Sequence, residues 1–270
     1  MQKQWLATAA LAALAALAAS AHASADGGSV GVGFDYSSGK YGATTTTDIW
    51  SVPFIFGYDT GPWSLKVTVP YINVSGSGNV IPGLGGTDNR NPNGRGRNGQ
   101  SLPPTDTAGS ASGLGDVVAA ASYALVSNPK TGFGLDLTGK VKFGTADADQ
   151  GLGSGQNDYT LGVDAYQARG DWTVFGGVSY AMLGDSEFLQ LDDVFGANLG
   201  ASYKLNDASS WGAVFDYRQR ASDMSQERNE LTAFYNHKVG DSTKLQAYVL
   251  SGFSDGSPDW GGGLSVKHGF

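Results

Sequence analysis

The sequence predicts an all-β fold, a transmembrane antiparallel β-barrel of about 12 strands with both termini at one end. Three observations predict it. From Ser29 to Phe270 apolar and polar residues alternate with a period of two in segments of about ten residues. Connections between the segments are alternately short and long, and tryptophan, tyrosine and phenylalanine gather at segment ends. Composition fits: the 270 residues include 41 glycines, 11% aromatic and only 16% charged residues. The mean hydropathy is −0.20, and no apolar run after residue 25 reaches the roughly 20 residues that a spanning helix needs, so any crossing is by strands.

Residues 1–25 read as a cleaved export signal. Lys3 precedes an Ala/Leu-rich stretch over Leu6–Ala19, and Ala21-His22-Ala23 and Ala23-Ser24-Ala25 are both small-residue cleavage sites. Residues 26–270 then form a single barrel domain. Cleavage removes one lysine and no acid, leaving 16 basic against 25 acidic residues, a net charge of −9. That acidity argues against nucleic acid as a partner. The absence of cysteine removes disulfides, thiol nucleophiles and thiolate metal sites.

The first strand, about Ser29 to Tyr36, puts Val30, Val32, Phe34 and Tyr36 on one face. The second does the same with Trp50, Val52, Phe54, Phe56 and Tyr58. Asp59-Thr60-Gly61-Pro62 turns the chain into a third strand with Trp63, Leu65, Val67, Val69 and Tyr71 outward. After a long connection, Val117 to Leu125 is the fourth strand, and Phe133, Leu135, Leu137, Val141 and Phe143 mark the fifth. Strands six to nine are marked by Tyr159–Ala165, Trp172–Met182, Phe195–Tyr203 and Trp211–Tyr217, and strands ten to twelve by Leu231–Tyr235, Leu245–Val249 and Trp260–Phe270.

Short turns follow strands two, four, six, eight and ten, which assigns them and both termini to the periplasmic side. One aromatic girdle comprises Trp63, Phe133, Trp172, Trp211, Tyr58, Tyr123, Tyr203, Tyr235 and Phe270; Trp50, Tyr71, Tyr159, Tyr180, Tyr217, Phe253 and Trp260 form the other. The competing soluble sandwich would have to bury nearly all of these rings against charged opposite faces. Phe270 completes the last strand and is expected to act as the signal read by the barrel assembly machinery. Outer-membrane lipid of a Gram-negative bacterium is the expected surround.

Parity places Asp35, Asp48, Lys66, Asp116, Asp136, Lys140, Lys142, Asp158, Asp164, Asp216, Arg218, Arg220, Arg228, Glu230, Lys244 and Lys267 on the inner face. Lys66, Asp136, Lys140, Lys142, Asp216, Arg218, Arg220, Arg228 and Glu230 are the candidate pathway for a small-molecule solute. Mutual pairing that merely fills the lumen is the alternative. A lumen of this size lies between the filled eight-stranded and the open sixteen-stranded barrel, so loops and long side chains decide. Asn73 to Ser112, rich in Gly, Asn and Pro and carrying Arg90, Arg95 and Arg97, is the candidate constriction loop. No cofactor is called for: Asp147 to Asp158 alternates hard oxygens but lacks the glycine register and closing glutamate of a calcium loop.

Val69-Pro70-Tyr71, Ser112-Gly113-Leu114-Gly115-Asp116 and Gly151-Leu152-Gly153-Ser154-Gly155 with Asp158-Tyr159 resemble the outer-membrane family named for the meta-pathway of phenol degradation. The resemblance implies a transporter of small, often aromatic or hydrophobic, compounds. One departure is Lys142-Phe143-Gly144-Thr145-Ala146, where that family often has a lysine, an apolar residue and Pro-Thr-Gly. Two other readings stay open: a structural barrel with a closed lumen, and an outer-membrane lipid hydrolase. The latter needs a histidine near the outer rim, whereas His237 and His268 both lie at periplasmic strand ends.

Overall fold

The structure, a computed structural model, describes residues 26–97, 107–223 and 225–270; the expected leader lies outside them. Among the described residues there is no helix. The strands are β1 (Gly27–Gly39), β2 (Thr47–Thr60), β3 (Trp63–Ser77), β4 (Val80–Ile81), β5 (Gly85–Gly86), β6 (Ala108–Leu114), β7 (Val118–Asn128) and β8 (Phe133–Lys142). They continue with β9 (Asp158–Arg169), β10 (Trp172–Met182), β11 (Val194–Lys204), β12 (Ser209–Arg218), β13 (Arg228–Val239), β14 (Thr243–Gly252) and β15 (Trp260–Gly269).

Antiparallel pairing closes the sheet into a barrel, because β15 pairs with both β14 and β1. β6 and β7 lie along successive halves of β3, Tyr71–Ser77 and Trp63–Thr68. They are one barrel strand broken at Gly115–Val117, which makes twelve strands around the wall. Where the ladder breaks, the Gly115 N–H donates to the Pro70 carbonyl at 2.7 Å.

The alternation expected from the sequence sets the two faces. Phe34, Phe54, Leu65, Leu137, Leu161, Val174, Leu199, Val249 and Leu264 are exposed on the outside, a continuous apolar belt that demands a non-aqueous surround. Aromatic pairs border it: Trp63 on Tyr123 and Trp172 on Tyr203 at the short-turn end, and Tyr180 on Phe195 and Tyr36 on Trp260 at the loop end. From Trp172 to Tyr180 is about 27 Å along the strand, or roughly 20 Å along the axis at a ~40° tilt, close to the apolar thickness such barrels present. Leu137→Arg is therefore expected to cost roughly 2–4 kcal/mol of folding in liposomes. Equal urea midpoints for Leu137→Arg and for Lys140→Leu, on the inner face, would mean that the faces of β8 are misassigned.

The inner face is relieved by glycine. A Cβ on Gly200 would stand 2.5 Å from the Phe175 ring, one on Gly212 2.5 Å from Phe234, and one on Gly263 2.6 Å from Tyr248. Each ring thus lies flat over a neighbouring strand instead of projecting across the lumen. Phe175, Val214, Phe234, Tyr248 and Leu250 form an apolar cluster on the β10–β14 side. Over Gly263 the Tyr248 hydroxyl donates to Asp35 at 2.6 Å.

Two inner-face assignments are corrected. Asp48 shares the parity of Trp50 and points outward, where it accepts a 2.8 Å hydrogen bond from the Tyr36 hydroxyl; an acid is tolerated there because the position lies at the strand's loop end. Arg220 follows the last residue of β12, where the ladder no longer fixes parity. It is exposed and pairs with Asp223 at 3.2 Å. The long connection is also shorter than Asn73 to Ser112: β3 runs on to Ser77 and β6 starts at Ala108, so strand pairing extends beyond the girdle.

Candidate functional site

Residues 78–97 do not trail over the surface. Val80–Ile81 and Gly85–Gly86 form a short hairpin, with the Leu84 N–H bonded to the Ile81 carbonyl at 3.0 Å, and Val80, Ile81 and Leu84 are buried. Ile81 and Leu84 pack on Ala181, Leu183, Leu189, Leu191, Val194 and Ala221. Val80 packs on the opposite side with Tyr41, Ile49, Ile72, Val74 and Leu152. The hairpin therefore spans the loop-end mouth and closes it. Burying three aliphatic side chains of this size contributes on the order of 5 kcal/mol, before ordering entropy is subtracted.

Polar tethers complete the plug. From β12, Arg218 Nη2 donates to the Leu84 carbonyl at 2.9 Å and Nη1 to the Gly83 carbonyl at 3.4 Å. Arg95 donates to the carbonyls of Ser77 (2.8 Å), Val80 (2.5 Å) and Gly151 (2.6 Å); burial pulls its guanidinium down to about 10. Arg97 is buried as well, on Asn79 Oδ1 at 2.8 Å. Asn91 Nδ2 reaches Asp149 at 3.0 Å, and the Arg90 N–H donates to the Phe188 carbonyl at 2.9 Å. Arg95 and Arg97 are thus struts inside the loop rather than a charged aperture, and the Arg90 side chain is exposed beside Asp88. At the seam between the plug and residues 148–156 and 185–189 is a cavity of about 540 Å³, floored by Ile81, Asn89, Asn91, Ser154 and Leu189.

A second buried assembly holds the broken strand. Lys142 Nζ lies 2.8 Å from Asp158 Oδ2, 3.5 Å from Asp116 Oδ2 and 2.8 Å from Ser154 Oγ, with all three charged side chains at most 1% exposed. Asp116 Oδ1 accepts the Ala146 N–H at 2.9 Å and Asp158 Oδ1 the Gly184 N–H at 3.1 Å. Leu152 packs over Gly113, and Gly153 leaves room for the Asp116 carboxylate. The three motif stretches around Pro70, Asp116 and Ser154 therefore meet at this one place, and Lys142 is a structural cation there. Nearby, Arg228 is paired with Glu230, while both Asp216 oxygens are buried without a hydrogen-bond partner.

Below the plug part of the inner wall is polar. Lys66, Asp136, Lys140, Asp164, Asn198, Lys244 and Lys267 are half-buried there. Lys140 has Asp164 and Asp216 within electrostatic reach, whereas the charged neighbours of Lys66 are Lys140 and Lys267. The candidate residues thus separate into two groups. Lys142, Arg218, Arg228 and Glu230 belong to the closed mouth; Lys66, Asp136 and Lys140 face the vestibule below, and Asp216 lies buried near Lys140. Lys267, on the inner face by parity but outside the candidate pathway, joins the second group.

Among the described residues both histidines sit at the short-turn end, bonded to hydroxyls: His237 Nδ1 to Ser209 Oγ and His268 Nδ1 to Thr243 Oγ1, each at 2.9 Å. The Tyr235 hydroxyl also bonds Ser209. Among the described residues no carboxylate bonds to either ring.

Residues 97–270 match the family described as a protein of unknown function, DUF3187. The comparison with curated proteins yields no match. Among solved structures, the β-domain of the Bordetella autotransporter BrkA is similar with a TM-score of 0.52 and 13% identity, covering 91% of this chain and 100% of that one. The Ralstonia pickettii toluene transporter TbuX (TM-score 0.48, 10% identity, 93% and 92% covered) and the P. putida toluene transporter TodX (0.45, 11%, 93% and 92%) are more distant in shape.

Proposed function

This chain belongs to the family described as a protein of unknown function (DUF3187), and on that premise we propose that it is an outer-membrane channel for small solutes whose mouth is shut by a displaceable plug. In this reading residues 1–25 direct export, the short turns and termini face the periplasm, and the plugged end faces outward. The single observation that carries it is the division of the lumen. A packed hairpin over Val80–Gly86 closes one end, while the half below carries half-buried charged groups beside the apolar cluster of Phe175, Val214, Phe234, Tyr248 and Leu250. A barrel with no pathway has no need for lysines in its lumen that lack ion pairs, since isolated charges there are costly. The resemblance of its motifs to the phenol meta-pathway family supports aromatic or hydrophobic compounds as the solutes. Hydrolysis has little support, because among the described residues no acid bonds to the Ser209–His237 pair, and in this reading the pair lies at the end away from the outer leaflet.

The plug gives the test. Leu84→Asp puts a carboxylate among the aliphatic side chains that receive Leu84, where the residue is 2% exposed, which costs several kcal/mol and loosens the hairpin. Planar-bilayer recordings are expected to show rare, small openings for the native barrel and frequent, larger ones for Leu84→Asp. A silent Leu84→Asp barrel that still shows a heat-modifiable folded band would favour the closed structural barrel.

A further inference from the structure

We propose that the short-turn half of the lumen contains a binding site for small anions with a carboxylate-type head, built from Lys66, Lys267, Ser29 and the bare backbone of Gly57. The four come from neighbouring strands. Gly57 on β2 is the cross-strand partner of both Ser29 on β1 and Lys66 on β3, and Gly31, two residues along β1, pairs with Lys267 on β15. Lys267 Nζ reaches over the wall to within 3.7 Å of the point where a Cβ on Gly57 would stand, and Ser29 Oγ is 2.6 Å from the same point. Glycine therefore leaves a cradle that a hydroxyl and an ammonium both border.

These groups are not satisfied by one another. Ser29 is buried, 8% exposed, and its Oγ has no hydrogen-bond partner. Neither Lys66 nor Lys267 has an ion pair within 4.0 Å among the described residues. The charged neighbours of Lys66 are two further lysines, Lys140 and Lys267, and Lys267 in turn pairs across the strands with Lys244. Asp164 and Asp216 lie within electrostatic reach of Lys140, and Asp59 within reach of Lys244. Like charges converging on a confined space repel unless an anion is there, and the same field raises the local concentration of anions. A hydroxyl donor and the Lys267 ammonium at one cradle, with Lys66 within electrostatic reach of Lys267, suit a carboxylate, which accepts charge-assisted hydrogen bonds on both oxygens. In the channel reading, on which its role rests, this site gives the pathway a preference for anionic solutes.

Binding can be measured without flux, so the two ideas fail separately. Trifluoroacetate serves as the carboxylate probe, observed by 19F NMR line broadening with the refolded barrel in micelles, and trifluoroethanol as the neutral control. The native barrel is expected to broaden trifluoroacetate alone. Lys66→Gln with Lys267→Gln is expected to weaken the effect at least tenfold. Gly57→Ala, which changes no charge but fills the cradle, is expected to weaken it severalfold. Lys204→Gln, at an exposed turn, is expected to leave it unchanged. No broadening by the native barrel, or equal broadening by the native and double-glutamine barrels, overturns the site, whatever the bilayer recordings show.

Discussion

Replacing Lys142 with methionine is expected to destabilise the barrel by about 3–5 kcal/mol, the cost of leaving buried carboxylates without their cation. Lys142 is 1% exposed and pairs with both Asp116 and Asp158. Those two acids also organise the Ala146 and Gly184 backbone, so the damage reaches the broken strand and two loops. Lys140→Met, two residues away on the same face but without a close ion pair, is the comparison and should move the urea midpoint far less. Adding Asp116→Asn and Asp158→Asn to Lys142→Met should recover part of the loss, since the three groups act as one network. Equal shifts for Lys142→Met and Lys140→Met would show that the pairing contributes nothing. A charge reversal at Lys142 would consequently report on folding rather than on ion preference.

The second large effect is expected at the C-terminus. Phe270 is 78% exposed on the outer face, and its ring occupies the space over Gly28, where a Cβ would lie 2.6 Å from it. The Phe270 N–H donates to the Gly28 carbonyl at 3.0 Å, so the residue sits on the seam where first and last strands close the barrel. Deleting Phe270 should reduce the heat-modifiable barrel in the outer membrane several-fold, with export across the inner membrane unaffected. Gly28→Leu should have a milder effect, by displacing the ring while keeping the terminal aromatic. Undiminished outer-membrane levels without Phe270 would remove it as an assembly determinant.

The sequence by itself determined the wall. One apolar surround acts on every strand, so Val67, Leu137 and Val174 could be placed outward by parity alone, and all three are exposed. Aromatic residues at strand ends gave the two borders for the same reason. That rule stops where the surround stops. Above the girdle Asn73 to Ser77 is no longer obliged to be apolar on one face, so β3 looked finished at Tyr71 although it runs to Ser77. Asp48 and Arg220 were misplaced at the same boundary, where parity has lost either its lipid or its ladder.

Only the tertiary structure decided what the inner residues do. Parity reports that Lys66, Lys140 and Lys142 face inward, but not which has a partner, because partners come from distant strands and loops. Asp158 and Asp116 neutralise Lys142, while Lys267 arrives from the far end of the chain beside Lys66. The plug was equally hidden. Its apolar anchors Val80, Ile81 and Leu84 are scattered among glycines without period, and they become a closure only when two apolar clusters on opposite walls receive them.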